Sequence, residues 1–135
     1  MKTYLDIALE DLKDARKCSE NKQWRMAIFA YQQFAEKGAK SLLERINPNS
    51  KLLNSHNVAS VLESYNTAHV CSYEGDCARY FTNFYIKTRY PVDDYIEVIE
   101  EYIERAEENA QVLYEFYKKE HEKLDKLEKQ GMELS

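Results

Sequence analysis

The sequence predicts an all-α fold, an up-and-down helical bundle of about five helices with a long C-terminal helix. Three observations carry that prediction. The 135 residues contain only three glycines and two prolines, so turn punctuation is scarce. Trp24, Ala27, Ile28, Tyr31, Phe34, Ala35, Gly38 and Leu42 recur at the three-and-four spacing that lines one face of a helix. The same spacing, through Tyr95, Val98, Ile99, Tyr102, Ala106, Leu113, Tyr117 and Leu124, sustains a last helix of roughly 35 residues, about 50 Å long.

The elements follow in order. Leu5, Ala8, Leu9, Leu12 and Ala15 mark a first helix, interrupted at Asn21-Lys22. The second runs from about Gln23 to Ile46 and stops at Asn47-Pro48-Asn49-Ser50, because proline cannot continue a helix and disfavours helical geometry in the residue before it. A third is expected to start near Asn54 or Ser55, either of which can cap it, and carries Val58, Val61, Leu62 and Tyr65. Cys71 to Asp76, with Gly75, reads as a loop or helix start. A fourth, aromatic helix covers roughly Cys77 to Lys87, with Tyr80, Phe81, Phe84 and Tyr85. Pro91 ends it and opens the fifth, whose first turn gains favourable dipole interactions from Asp93 and Asp94. Residues 1–120 read as one bundle, and 121–135 as a helical extension that projects, frays or packs on another subunit.

Composition excludes several function classes. No run of 18 apolar residues is present, and Met1 to Asp6 lacks the apolar core of a signal peptide, so the expectation is a cytoplasmic protein with no membrane contact. Cys18, Cys71 and Cys77 are odd in number and form no C-x-x-C, which suits reduced thiols. His69, Cys71 and Cys77 give only three possible ligands at irregular spacing, and metal is set aside. The net charge of −5 argues against general nucleic-acid binding. The charge is nevertheless segregated. Arg16 to Lys51 carries eight basic residues against three acidic, whereas Asp93 to Glu122 carries eleven acidic against three basic. The basic region suits phosphate. The acidic run reads as a solvated helical face, or as a docking surface for a basic partner.

A second, polar row runs along the second helix. Gln33, Lys37, Lys40 and Glu44 share the three-and-four spacing of the apolar stripe, on a neighbouring face. Pairing of the lysines with Glu36 or Glu44 would be an exposed contact worth only about 0.3 to 0.5 kcal/mol, so stability hardly requires them.

The run Tyr31-Gln32-Gln33-Phe34-Ala35-Glu36-Lys37-Gly38-Ala39-Lys40-Ser41-Leu42-Leu43, then His56-Asn57-Val58, then Tyr85-Ile86-Lys87-Thr88-Arg89-Tyr90-Pro91 resembles the HEPN (higher eukaryotes and prokaryotes nucleotide-binding) family over roughly residues 3 to 118. The resemblance implies a helical bundle, usually a homodimer, with a cleft near the dimer interface. It also implies one of three activities: nucleotide binding, ribonuclease action as a toxin, or pairing with a small nucleotidyltransferase in a toxin–antitoxin-like system.

The residues add a candidate nucleotide site of Gln33, Lys37, Lys40, His56, Arg89 and Tyr90. Arg89 stands at the Tyr90-Pro91 break, where a guanidinium suits bidentate recognition of phosphate and equally suits the last carbonyls of a helix. His56, expected in the first turn of the third helix, would be kept neutral and base-capable by the macrodipole, or serve as a cap. Tyr80, Phe81, Phe84, Tyr85 and Tyr90 supply rings that can stack a base, or core.

No cofactor beyond a nucleotide ligand is called for. Catalysis is where the chain departs from the family's ribonucleases, which carry an arginine followed after four to six residues by a histidine. From Arg79 those slots hold Phe84, Tyr85 and Ile86, and from Arg89 they hold Asp94, Tyr95 and Ile96. The expectation is therefore a binding protein without nuclease activity. The alternatives are a metal-independent ribonuclease with a non-local pair such as His56 and Arg89, and a non-catalytic helical adaptor.

Overall fold

Helix α1 (Tyr4–Glu20) begins where Thr3 and Asp6 cap each other. The Thr3 hydroxyl accepts from the Asp6 amide at 3.1 Å, and the Asp6 carboxylate accepts from the Thr3 amide at 3.0 Å, which satisfies two otherwise orphaned donors. The computed structural model describes residues 1–69, 71–89 and 100–134, with side chains for all of these except residues 69 and 84–89. Among the described residues there are five α-helices, two short 3-10 turns and no strand.

Lys22, in the left-handed region at φ 58°, reverses the chain after α1, so α2 (Trp24–Ile46) returns alongside it. Ala8, Leu12 and Ala15 are buried against α2, small and large side chains alternating. Helix α2 is the axis of the bundle. It packs on α1, α3 (Val58–Tyr65), α4 (Tyr73–Arg89) and α5 (Glu100–Lys129), and thirteen of its residues are buried. The apolar stripe that the spacing predicts, Ala27 through Leu42, is core. Gly38 is required by close approach. A Cβ there would sit 2.9 Å from Tyr117 Cζ and nearer still to two other ring carbons. The Tyr117 ring therefore lies on bare backbone, where its hydroxyl donates to the Ala35 carbonyl at 2.7 Å and its ring meets Phe34 at a centroid distance of 5.7 Å.

The third helix starts later than expected, at Val58 instead of Asn54 or Ser55. Side chains compete for the backbone in between. Ser50 Oγ accepts from the Leu52 amide, capping a 3-10 turn over Lys51–Asn54, and Ser55 Oγ accepts from the Asn57 amide at 3.0 Å. Asn57 is the true cap, its Oδ1 accepting from Ser60 N at 3.0 Å. The fourth helix starts earlier than Cys77. Ser72 Oγ accepts from Gly75 N at 3.2 Å, and Glu74 and Asp76 fill a first turn that the glycine does not break. The expected opening of the fifth helix at Pro91, with Asp93 and Asp94, lies outside the described residues.

Helix α5 is 30 residues long, about 45 Å. Beyond residue 120 it lies against the C-terminal end of α2: Leu124 is buried, and Arg45 reaches Asp125 and Glu128 at 2.9 Å each. It closes on Gly131 (φ 74°) with Met132 N bonded to Leu127 O and Gly131 N to Glu128 O, the paired bonds of a Schellman end.

Candidate functional site

Glu36 is fully buried in the middle of α2, between Ala35 and Ala39. An isolated carboxylate there would be prohibitively costly. Its Oε1 accepts from His56 Nδ1 at 2.9 Å, and its Oε2 faces Lys40 Nζ at 3.3 Å and Lys37 Nζ at 3.4 Å. Burial pushes the carboxyl up, but the His56 hydrogen bond and the charges of Lys40 and Lys37 outweigh it and hold Glu36 below the usual range. Lys40 behaves differently. Burial lowers it more than the Glu36 charge raises it, and nearby Lys37 adds to the lowering. His56, in the segment between α2 and α3, reaches back to Glu36.

The expected polar row therefore divides. Lys40 is buried, not surface-exposed, and its pairing with Glu36 is an interior contact, not the exposed pair first expected. Lys37 keeps an accessible edge, with its ammonium 5.7 Å from the Tyr4 ring centroid. Gln33 turns back and donates to Gln32 Oε1 at 2.8 Å, while the buried Gln32 Nε2 has no partner among the described residues. Glu44 is exposed.

His56 precedes the first residue of α3 by two positions instead of lying in its first turn. Its orientation comes from Glu36, not from a macrodipole. An ionised carboxylate only accepts, so Nδ1 carries the proton, and the ring is left with its Nε2 side on a half-exposed edge. Arg89 is the last residue of α4, with its side chain outside the described residues, and Tyr90 lies outside them altogether. Thr82 ties α4 to the start of α3 through Ala59 N at 3.3 Å.

The structure thus gathers Lys37, Lys40 and His56 around Glu36, with Gln33 one turn away. Glu36 is the residue that sequence reasoning missed as a site member. The signal was Gln32, Glu36 and Lys40 spaced by four inside an apolar stripe, which is how a buried polar row reads.

A second polar cluster ties α5 to α2. Ser41 Oγ donates to Gly38 O at 2.6 Å, so His121 Nε2 donates to Ser41 Oγ at 2.8 Å, and His121 Nδ1 accepts from Arg45 Nη1 at 3.0 Å. Burial, and then the Arg45 charge, hold the imidazole below its ordinary value, with Asp125 opposing. All these bonds are internal, and the cluster fastens the helix.

Among the described residues, no group of three or more His, Cys, Asp or Glu side chains is arranged to hold a metal ion, and no helix is long and apolar enough to cross a membrane. Cys77 is buried, and its thiol is pushed up to about 11, away from nucleophilic use. No curated protein and no solved structure matches the chain. The HEPN domain family model matches residues 1–124 of the 135. The chain belongs to the HEPN domain family.

Proposed function

We propose that this HEPN protein binds the phosphate of a nucleotide or RNA at the Lys37–His56 edge. In this reading it acts as a homodimer in the cytoplasm, paired with a minimal nucleotidyltransferase in a toxin–antitoxin-like system, and has no nuclease activity of its own. One observation carries the site: a buried carboxylate, Glu36, fixes His56 through Nδ1 and Lys37 through Nζ, with Lys40 beneath them. An ammonium held in place at an accessible edge suits an anion, because its ordering entropy is spent before the ligand arrives, and His56 Nε2 joins it as a donor when the ring carries a second proton, which Glu36 balances. Homodimerisation and the nucleotidyltransferase partner rest on family membership. The absence of nuclease activity rests on the missing arginine and histidine spacing.

Calorimetry with ATP, GTP and short RNA tests the reading. Binding that weakens in Lys37→Ala and His56→Ala supports it, and no heat at millimolar ligand sinks it. The same Glu36–His56 contact favours a second reading, metal-independent RNA cleavage with His56 as the base. That reading requires RNA degradation in the presence of chelator that His56→Ala abolishes; equal degradation by both proteins excludes it.

A further inference from the structure

Helices α1 and α5 run in opposite directions and are tied together at one end, where Arg16 Nε donates to Glu107 at 3.0 Å and Arg16 Nη2 to Gln111 at 2.8 Å. From there a groove follows the two helices towards Leu5 and Asp125. It holds two cavities, of about 530 and 230 Å³, that adjoin at Leu9 and Tyr114, which line both. Sites for small ligands span about 300 to 1,000 Å³, and the pair together falls in that range.

The two halves differ in chemistry. The smaller is apolar: Leu5, Leu9 and Tyr114 wall it, and the buried rings of Phe34 and Tyr117 form its floor. Its inner polar groups are already engaged. The Tyr117 hydroxyl donates to Ala35 O, His121 is taken up by Ser41 and Arg45, and Asp125 pairs with Arg45. The exposed Lys118 and Glu122 offset each other, so this half offers a ligand no net charge. The larger half is basic. Lys13, Arg16 and Lys17 line it against one carboxylate, Glu20. Arg16 is spent on Glu107, but among the described residues Lys13 and Lys17 enter no ion pair. At the junction Leu9 is 42 % exposed, so a ligand seated beside it gains apolar area.

We infer that this groove binds an anionic amphiphile, a carboxylate on a medium-length alkyl chain, with the chain in the Phe34–Tyr117 hollow and the carboxylate at Lys13 and Lys17. The charge distribution sets both the class and the direction. An alkyl chain in the smaller half strips water from no unsatisfied polar group, whereas the free ammoniums stand in the larger half. Lys13 lies eight residues beyond Leu5 on α1, about 12 Å along the helix, which separates the head from the far end of the tail. A cationic head would meet Lys13, Arg16 and Lys17 instead, so the groove prefers the anion although the whole chain carries −5. None of the groove residues belongs to the Lys37–His56 edge, and the inference stands apart from the nucleotide reading.

Calorimetry on the full chain with decanoate, octanoate and decyltrimethylammonium tests it. Decanoate is expected to bind saturably and more tightly than the cation of equal chain length. Octanoate, two methylenes shorter, should bind roughly tenfold more weakly than decanoate. Leu9→Asp, which sets a carboxylate at the junction, should abolish decanoate binding. The double variant Lys13→Gln, Lys17→Gln should weaken it about fivefold, as partly screened ion pairs do, and keep the decanoate-to-octanoate ratio. All three substitutions fall on exposed side chains, and an unchanged melting temperature checks that the fold is kept. No binding at millimolar decanoate, cation binding as tight as decanoate, or full decanoate affinity in Leu9→Asp overturns the inference. A dimer that Leu9→Asp dissociates and that takes up no decanoate overturns it too, and assigns the groove to a second copy of the chain.

Discussion

Removing the Glu36 carboxylate should unfold more of this protein than any other single polar change. The Glu36 side chain is 1 % exposed and Lys40 is 4 % exposed, so Glu36→Ala leaves an ammonium in the interior without its anion. Breaking a buried pair by removing one partner costs about 3 to 5 kcal/mol. Lys40 can shed its proton, to which burial already inclines it, and this places the expected loss near the lower bound, about 3 kcal/mol. For a chain of this length that lowers the melting temperature by about 10 °C. Urea unfolding followed by circular dichroism gives the number. The double variant Glu36→Leu, Lys40→Met should cost less than the two single changes added together, by roughly 1 to 3 kcal/mol of coupling. A Glu36→Ala protein within about 0.5 kcal/mol of wild type, or single effects that simply add, would refute the claim that the row is an interior pair.

Gly38→Ala should destabilise by about 2 kcal/mol despite alanine's better helix propensity, because the added methyl displaces the Tyr117 ring and its bond to Ala35; thermal melting reads it, and an unchanged midpoint contradicts it. The fold holds the His121 imidazole neutral below its ordinary 6.5, so the unfolded chain takes up that proton first and stability falls as pH drops below about 6.5. His121→Gln should flatten that slope in urea midpoints measured at pH 7.5, 6.5 and 5.5, and an identical slope would exclude the mechanism. Asp11, raised from 3.8 to about 6 by burial and by the Asp14 charge, has the opposite sign: its ionised form opposes folding above pH 6, and that cost vanishes below pH 4. Partly buried as the group is, the effect is about 1 kcal/mol after screening. Asp11→Asn should therefore stabilise the protein at pH 7.5 and not at pH 4, as denaturant titrations at both would show.

The parts of the fold governed by short-range spacing are legible in the chain. The α2 stripe, its stop at Pro48, and the aromatic and long last helices follow from periodicity and proline chemistry. The start of α3 was not legible, because Ser50, Ser55 and Asn57 compete for the same few amides and only the folded geometry decides among them. The site was half legible. Spacing placed Gln33, Lys37 and Lys40 on one side of α2, but Lys40 is buried beside Glu36, and which polar positions end up inside is decided by the helices that pack on α2 from elsewhere in the chain. Glu36 looked like a surface partner for the same reason. The contact of His121 with Ser41 joins positions 80 residues apart, and no local pattern announces it.

The account's central claim is a phosphate site at the Lys37–His56 edge, organised by Glu36. Amide chemical-shift mapping by NMR during a GTP titration tests it most directly. Saturable shifts confined to Gln33–Lys40 and the residues around His56 are expected, needing clearly more GTP to saturate in Lys37→Ala. Shifts clustered at the Ser41–His121 end, or none at millimolar GTP, would contradict it.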